Sequence, residues 1–208
     1  MTGQSIKILK NHTYSVQTLL VLQDGSLVSG SSDSTIVLWN TTTGEIIRRL
    51  TGHNDHVKSL QVLQNGTLVS CSHDKTIRLW NTTTGETINI LLGHSDWVRS
   101  LTVLQDGTLV SGSLDKTIRL WNITTGQSIL KLNGHTNSVD ALVVLPDGIL
   151  VSGSYDYTIR LWNTMTGQTL QILRGHTNRV RSLTILQNGT LISGSDDGTI
   201  RLWYNINK

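Results

Sequence analysis

A histidine, a serine and an aspartate return together five times along this 208-residue chain. The sets are His12, Ser29 and Asp33; His53, Ser70 and Asp74; His94, Ser111 and Asp115; His135, Ser152 and Asp156; and His176, Ser193 and Asp197. These are the residue types of a nucleophilic triad, in which an aspartate orients the histidine that takes a serine's proton. A tryptophan completes each set, at Trp39, Trp80, Trp121, Trp162 and Trp203. Five copies weigh against catalysis, because a catalyst needs one differentiated site. A polar network that satisfies buried donors and acceptors is needed once in every structural unit. The sets are therefore read as architecture, and no catalytic residue is assigned.

Other site chemistries are weaker. His56 and His73 have no Cys or second His at ligand-like spacing, and His53-x-x-His56 alone is thin support for zinc. No metal and no cofactor is expected. Glycoside chemistry needs two carboxylates facing one another across a pocket. Asp140 is the single acidic residue in its column of the repeats, so no such pair is visible.

The elements that must hold these residues follow from the tryptophan spacing, which is 41 residues at every interval. A fixed period of this size marks a repeat architecture. Thr76-Ile77-Arg78-Leu79-Trp80-Asn81 is its clearest unit, with alternating β-branched and aromatic residues and bulk on both faces, as in a buried strand. Within one repeat, Val57 to Leu63 reads as a strand, Gln64-Asn65-Gly66 as a hairpin turn, and Leu68 to Ser72 as a second strand. His73-Asp74-Lys75 turns the chain into a third strand, Thr76 to Trp80. Thr82-Thr83-Thr84-Gly85 then leads to a less regular fourth, Glu86 to Leu92. A four-stranded meander with two apolar faces cannot bury them alone. Stacking copies about an axis solves this, as in a β-propeller. The expected fold is all-β: one domain over residues 1–208, with five four-stranded antiparallel blades. Thr2-Gly3-Gln4-Ser5-Ile6 matches Thr125-Gly126-Gln127-Ser128-Ile129, so the chain begins with a fourth strand and ends after a third. Residues 3–10 are therefore expected to join the last blade and close the ring.

Gly-His, Ser-Gly-Ser, Asp and Trp at these spacings resemble the WD-repeat family of β-propellers, over essentially the whole chain. The resemblance implies that each His, Ser, Asp and Trp set named above is that family's hydrogen-bonded tetrad. It also implies a non-enzymatic scaffold or adaptor that engages partners at the variable end of its blades. The match has departures. The family's Trp-Asp pair is Trp-Asn in four repeats and Trp203-Tyr204 in the last, and Asn11 replaces Gly before His12. Family members most often have seven blades. The resemblance leaves open a five-blade ring, a fragment of a larger multi-blade protein, and a unit that self-associates.

Composition bounds the remaining classes. The formal charge of +3 comes without a Lys/Arg run, so nucleic acid is not an expected partner. No apolar run reaches membrane-spanning length and the N-terminus has no signal-peptide character, so the cytoplasm is the expected compartment. Cys71 stands where the other repeats have Gly30, Gly112, Gly153 and Gly194, and reads as a small strand residue. Six Asn-x-Ser/Thr sequons read as turn chemistry.

Comparing the five copies shows where they differ. One end of each repeat is nearly constant. At the other, three residues after the histidine, stand Ser15, His56, Trp97, Ser138 and Arg179. Two residues further are Gln17, Lys58, Arg99, Asp140 and Arg181, and before the aspartate are Ser32, His73, Leu114, Tyr155 and Asp196. Loops tolerate change, and Trp97 could simply be an anchor packed on Leu114. Yet Trp, Tyr and Arg are the types enriched in binding hot spots. The expected interaction face for a protein or peptide is His56, Lys58, His73, Trp97, Arg99, Leu114, Asp140, Tyr155, Arg179 and Arg181. A carbohydrate-binding propeller is the alternative. It would repeat the same aromatic in every blade, whereas Trp97 and Tyr155 each occur once.

Overall fold

The structure is a computed structural model that describes residues 7–204 and residue 206. The first sheet holds β1 (Val16–Val21), β2 (Leu27–Ser31), β3 (Ile36–Trp39) and β4 (Ile46–Leu50). The second holds β5 (Val57–Val62), β6 (Leu68–Ser72), β7 (Ile77–Trp80) and β8 (Thr87–Leu91). The third holds β9 (Val98–Val103), β10 (Leu109–Ser113), β11 (Ile118–Trp121) and β12 (Ser128–Leu132). The fourth holds β13 (Val139–Val144), β14 (Leu150–Ser154), β15 (Ile159–Trp162) and β16 (Thr169–Leu173). The fifth holds β17 (Val180–Ile185), β18 (Leu191–Ser195) and β19 (Ile200–Trp203). Each is an antiparallel meander in chain order, so the blades expected from the period are present.

Turn chemistry sets the register. The first hairpin of every blade carries a glycine with φ between 82° and 89°, from Gly25 to Gly189, a region closed to most side chains. After the third strand, Asn40, Asn81, Asn122 and Asn163 each accept two backbone N–H groups on Oδ1. An amide oxygen suffices for this turn, so Asn serves where the WD-repeat pattern has Asp. The turn between second and third strands is different. Ser34, Lys75, Lys116 and Tyr157 sit there at φ of 68–72°, where the fifth blade places Gly198.

The apolar core lies between blades. Ile36, Leu38 and Leu50 of the first pack with Val57, Leu60, Leu68 and Trp80 of the second. Equivalent clusters join second to third, third to fourth and fourth to fifth. A strand with bulk on both faces is thus buried by two neighbours: Ile77, Leu79 and Trp80 are all buried. Cys71 is buried in β6, and burial pushes its thiol well above the ordinary range.

The flanks that would meet in a closed ring are exposed. Leu19 is 63% accessible where its second-blade counterpart Leu60 is 6%, and Ile200 is 73% where Ile77 is 0%. Of the closing strand expected over residues 3–10, the described residues 7–10 carry no strand pairing. Lys7 donates from Nζ to the Thr42 carbonyl, and Lys7 and Leu9 crowd Gly44, so this segment lies on the first blade. Arg48 takes the same place against Thr84 and Gly85 of the next blade. Lys7–Lys10 therefore occupy the position of a fourth strand beside the first blade, but do not pair with β19. Residues 3–6 of the expected strand lie outside the described residues.

Candidate functional site

Each His, Ser, Asp and Trp set is joined as a chain of hydrogen bonds. In the second blade, Trp80 Nε1–H donates to Ser70 Oγ at 2.7 Å, Ser70 Oγ lies 2.7 Å from His53 Nε2, and His53 Nδ1 lies 2.7 Å from Asp74 Oδ2. An ionised aspartate only accepts. Nδ1 therefore carries the histidine proton, and Nε2 accepts from the serine hydroxyl. The other four sets repeat these contacts within 0.1 Å. Each His ring meets its Trp edge-on, with centroids 5.8–6.3 Å apart.

Burial opposes charge on these aspartates, but the donors around them prevail. Thr76 Oγ1–H and the backbone N–H groups of Asn54 and Thr76 join His53 on Asp74. Asp33, Asp74, Asp115 and Asp156 are held well below the usual carboxylate range, against the burial that would raise them. Asp197 is lowered too, first by the Thr199 hydroxyl. The distances are those of a catalytic triad, but the serine oxygens are not placed for attack. Ser70, Ser111, Ser152 and Ser193 are fully buried, and each oxygen already accepts from an indole N–H. The first set borders an open groove of about 510 Å³ lined by Leu9, Tyr14, Val16 and Leu19, beside the exposed flank of that blade.

The first blade also changes its junction in a matched way. In the second, third and fourth blades an arginine lies over the tetrad indole, such as Arg78 at 5.9 Å from the Trp80 ring centroid. A Cβ on Gly52 would come within 2.9 Å of that guanidinium. In the first blade Val37 replaces the arginine, and Asn11 replaces the glycine. Arg49 donates to the Asn11 side chain instead.

The variable columns converge at one end of the blades. The register of every first strand slips by one residue, leaving Gln17, Lys58, Arg99, Asp140 and Arg181 unmatched in a β-bulge. A bulge re-aims the side chain it carries. Lys58 Nζ thereby reaches Gln17 Oε1 at 2.8 Å, and Arg99 Nη1 comes within 3.5 Å of Asp140 Oδ1. Burial and the neighbouring Arg99, Arg179 and Arg181 lower the proton affinity of Lys58. Nothing in strand periodicity announces these bulges.

The rings form a second chain of contacts. His73 stacks on Trp97 with centroids 4.2 Å apart and planes 5° from parallel, and His56 lies 5.2 Å beyond His73. The Arg99 guanidinium lies 5.7 Å from the Trp97 centroid, and that of Arg179 lies 5.2 Å from Tyr155. Trp97 is 37% accessible and Tyr155 42%. The apolar bed of Trp97 is thus His73 of the preceding blade. Leu114, half-buried, donates its backbone N–H to the Trp97 carbonyl. Arg181 pairs with Asp196 at 2.7 Å, which raises the arginine and lowers the aspartate. His73 is pushed down to about 4 by burial and then by Arg99.

Two histidines that look unrelated in sequence meet here with a carboxylate. His73 N–H donates to the His56 carbonyl at 3.0 Å, and Asp55, His56 and His73 offer ligand atoms within 4.8 Å of one another. Spacing along one segment could not reveal this, because His56 precedes the first strand and His73 lies in the turn after the second.

This arrangement of sheets, tetrads and turns defines a class. The family description "WD domain, G-beta repeat" matches residues 3–40, 44–81, 85–122, 126–163 and 167–204, and the chain belongs to this WD-repeat family. A crystal structure of the WD40 β-propeller domain of Doa1 is similar, with a TM-score of 0.84 and 32% identity, covering 96% of this chain and 67% of that one. No curated protein matches the chain. Among the described residues, no helix is long and apolar enough to cross a membrane.

Proposed function

We propose that the chain is a non-enzymatic scaffold or adaptor of the cytoplasm, whose variable end binds a protein or peptide. The observation that carries this reading is the continuous band Tyr155–Arg179–Asp140–Arg99–Trp97–His73–His56, which crosses four blades and exposes two aromatic rings. Propellers of this family generally bind proteins. A band of aromatic rings backed by guanidinium groups is the composition of interface hot spots. Its acidic residues are largely engaged internally, and Lys58 and the outer face of Arg181 leave a basic cast. A partner segment carrying acidic groups fits that cast.

The serines of the tetrads support the absence of catalysis, since each is occupied by an indole donor. The carbohydrate reading is disfavoured by Trp97 and Tyr155, which differ in type and place rather than repeating one pocket. Affinity capture with the wild-type protein and with Trp97→Ala/Arg181→Ala tests the proposal. Both chains should melt alike, and the variant should lose the captured partner. Retained binding would place the partner elsewhere on the blades.

A further inference from the structure

We propose that Asp55, His56 and His73 form a binding site for a divalent transition metal of the zinc class, with one coordination position left open to water. The inference stands on the geometry around the second blade and does not depend on the scaffold reading.

The donor set is two imidazoles and one carboxylate, which suits zinc and neighbouring late first-row ions rather than calcium or magnesium. The three ligand atoms already lie within 4.8 Å of one another. Tetrahedral zinc with bonds of about 2.0 Å needs ligand atoms roughly 3.3 Å apart, so the closing movement is small. The exposed His56 side chain has the freedom to make it. Its Nε2 is 3.8 Å from Asp55 Oδ1. The backbone is fixed by the His73 N–H to His56 carbonyl bond, and by Ser72 Oγ–H donating to the Asp55 carbonyl at 2.9 Å.

The second observation is on His73 itself. Its Nε2 is buried and has no hydrogen-bond partner. Buried polar atoms are nearly always satisfied, so an orphaned nitrogen on one of three clustered ligand residues asks for an occupant. Trp97 stacks flat against the ring and holds its plane. This preorganises a ligand as second contacts do in metal sites. No other repeat has a histidine at either column, so the site belongs to the second blade alone.

Two cations oppose the metal. Arg99 lies over Trp97 and Lys58 sits in the adjoining bulge, but Arg99 is drawn towards Asp140 and Lys58 towards Gln17. Their residual field weakens binding without changing the donor set.

The test is calorimetric titration of the metal-stripped full chain with Zn²⁺, alongside Co²⁺ absorption. The expected result is one equivalent of Zn²⁺ bound and visible Co²⁺ bands of a four-coordinate site. His56→Ala and His73→Ala should each weaken binding about tenfold or more. His56 is exposed, so its variant folds even if loss of the Trp97 stack disturbs His73→Ala, and Asp55→Asn gives a third arm. No Zn²⁺ binding by the wild-type chain would overturn the proposal and leave water as the partner of His73. So would one equivalent bound with the same affinity by the His56 and Asp55 variants.

Discussion

Arg179 grips Asp140 with two hydrogen bonds, Nε to Oδ2 at 2.6 Å and Nη2 to Oδ1 at 2.9 Å. The two residues belong to neighbouring blades, and the Asp140 side chain is only 4% accessible. Arg99 of the third blade approaches the same carboxylate at 3.5 Å. One aspartate thus ties three blades at the end where the repeats differ most. In the sequence Asp140 is an acidic exception in a column with three basic residues. In the fold it is the counter-charge that lets two arginines lie side by side.

Asp140→Ala should therefore destabilise the chain by about 2–4 kcal/mol, because it strands Arg99 and Arg179 with little solvent access. Urea unfolding of the variant measures this. The double change Asp140→Ala/Arg179→Ala should recover part of the loss. A simple sum of the two single effects would show that the pair is not coupled.

Acid should act through the tetrads. The aspartates of the first four sets titrate well below their ordinary value of 3.8 in the fold. Between the folded and unfolded values the unfolded chain binds more protons, so stability falls as pH falls. Their contribution is complete above roughly pH 4 and is lost progressively below it. Melting temperatures should be level in this respect from neutrality to about pH 5 and drop steeply under pH 4. Asp74→Asn should make that drop shallower, at the cost of a lower plateau.

Lys116→Gly should raise stability by about 0.5–1 kcal/mol, since a non-glycine residue is strained at left-handed φ. Lys116 lies at φ 72°, and the fifth blade already uses Gly198 at the same place with φ 80°. Gly198→Lys should cost a comparable amount. Thermal melts of both single variants check the sign. A destabilised Lys116→Gly would mean that the lost side chain packs favourably.

The strands, the turns and all five tetrads are legible in the sequence because each is a local pattern repeated at one period. Val57 to Leu63 and Leu68 to Ser72 agree with β5 and β6 to within a residue. What the period does not carry is the angle between neighbouring sheets, which depends on the volumes of Leu60, Leu68 and Trp80 against the preceding blade. Ring closure by residues 3–10 follows from counting strands, and the described Lys7 and Leu9 do lie in a fourth strand's place beside the first blade, while Leu19 and Ile200 keep exposed flanks. At the variable end the columns were visible. The pairings of Arg179 with Asp140, Trp97 with His73, and His56 with His73 were not. The first two depend on a bulge and on contacts between blades, and the third on a turn folding back beside the segment before β5; none leaves a mark in the period.

The exposed flanks carry a dynamic consequence. A stack whose first and last sheets each keep an exposed flank has no uniform resistance to opening: its middle sheets are clamped on both sides, and its outermost sheets more fully on one. Amide hydrogen exchange should be slowest in β10 and β11 and fastest in β2 and β18, in a graded profile from centre to periphery. Such a molecule unravels inward from its margins, and equal protection across all five sheets would mean that in solution something clamps those margins.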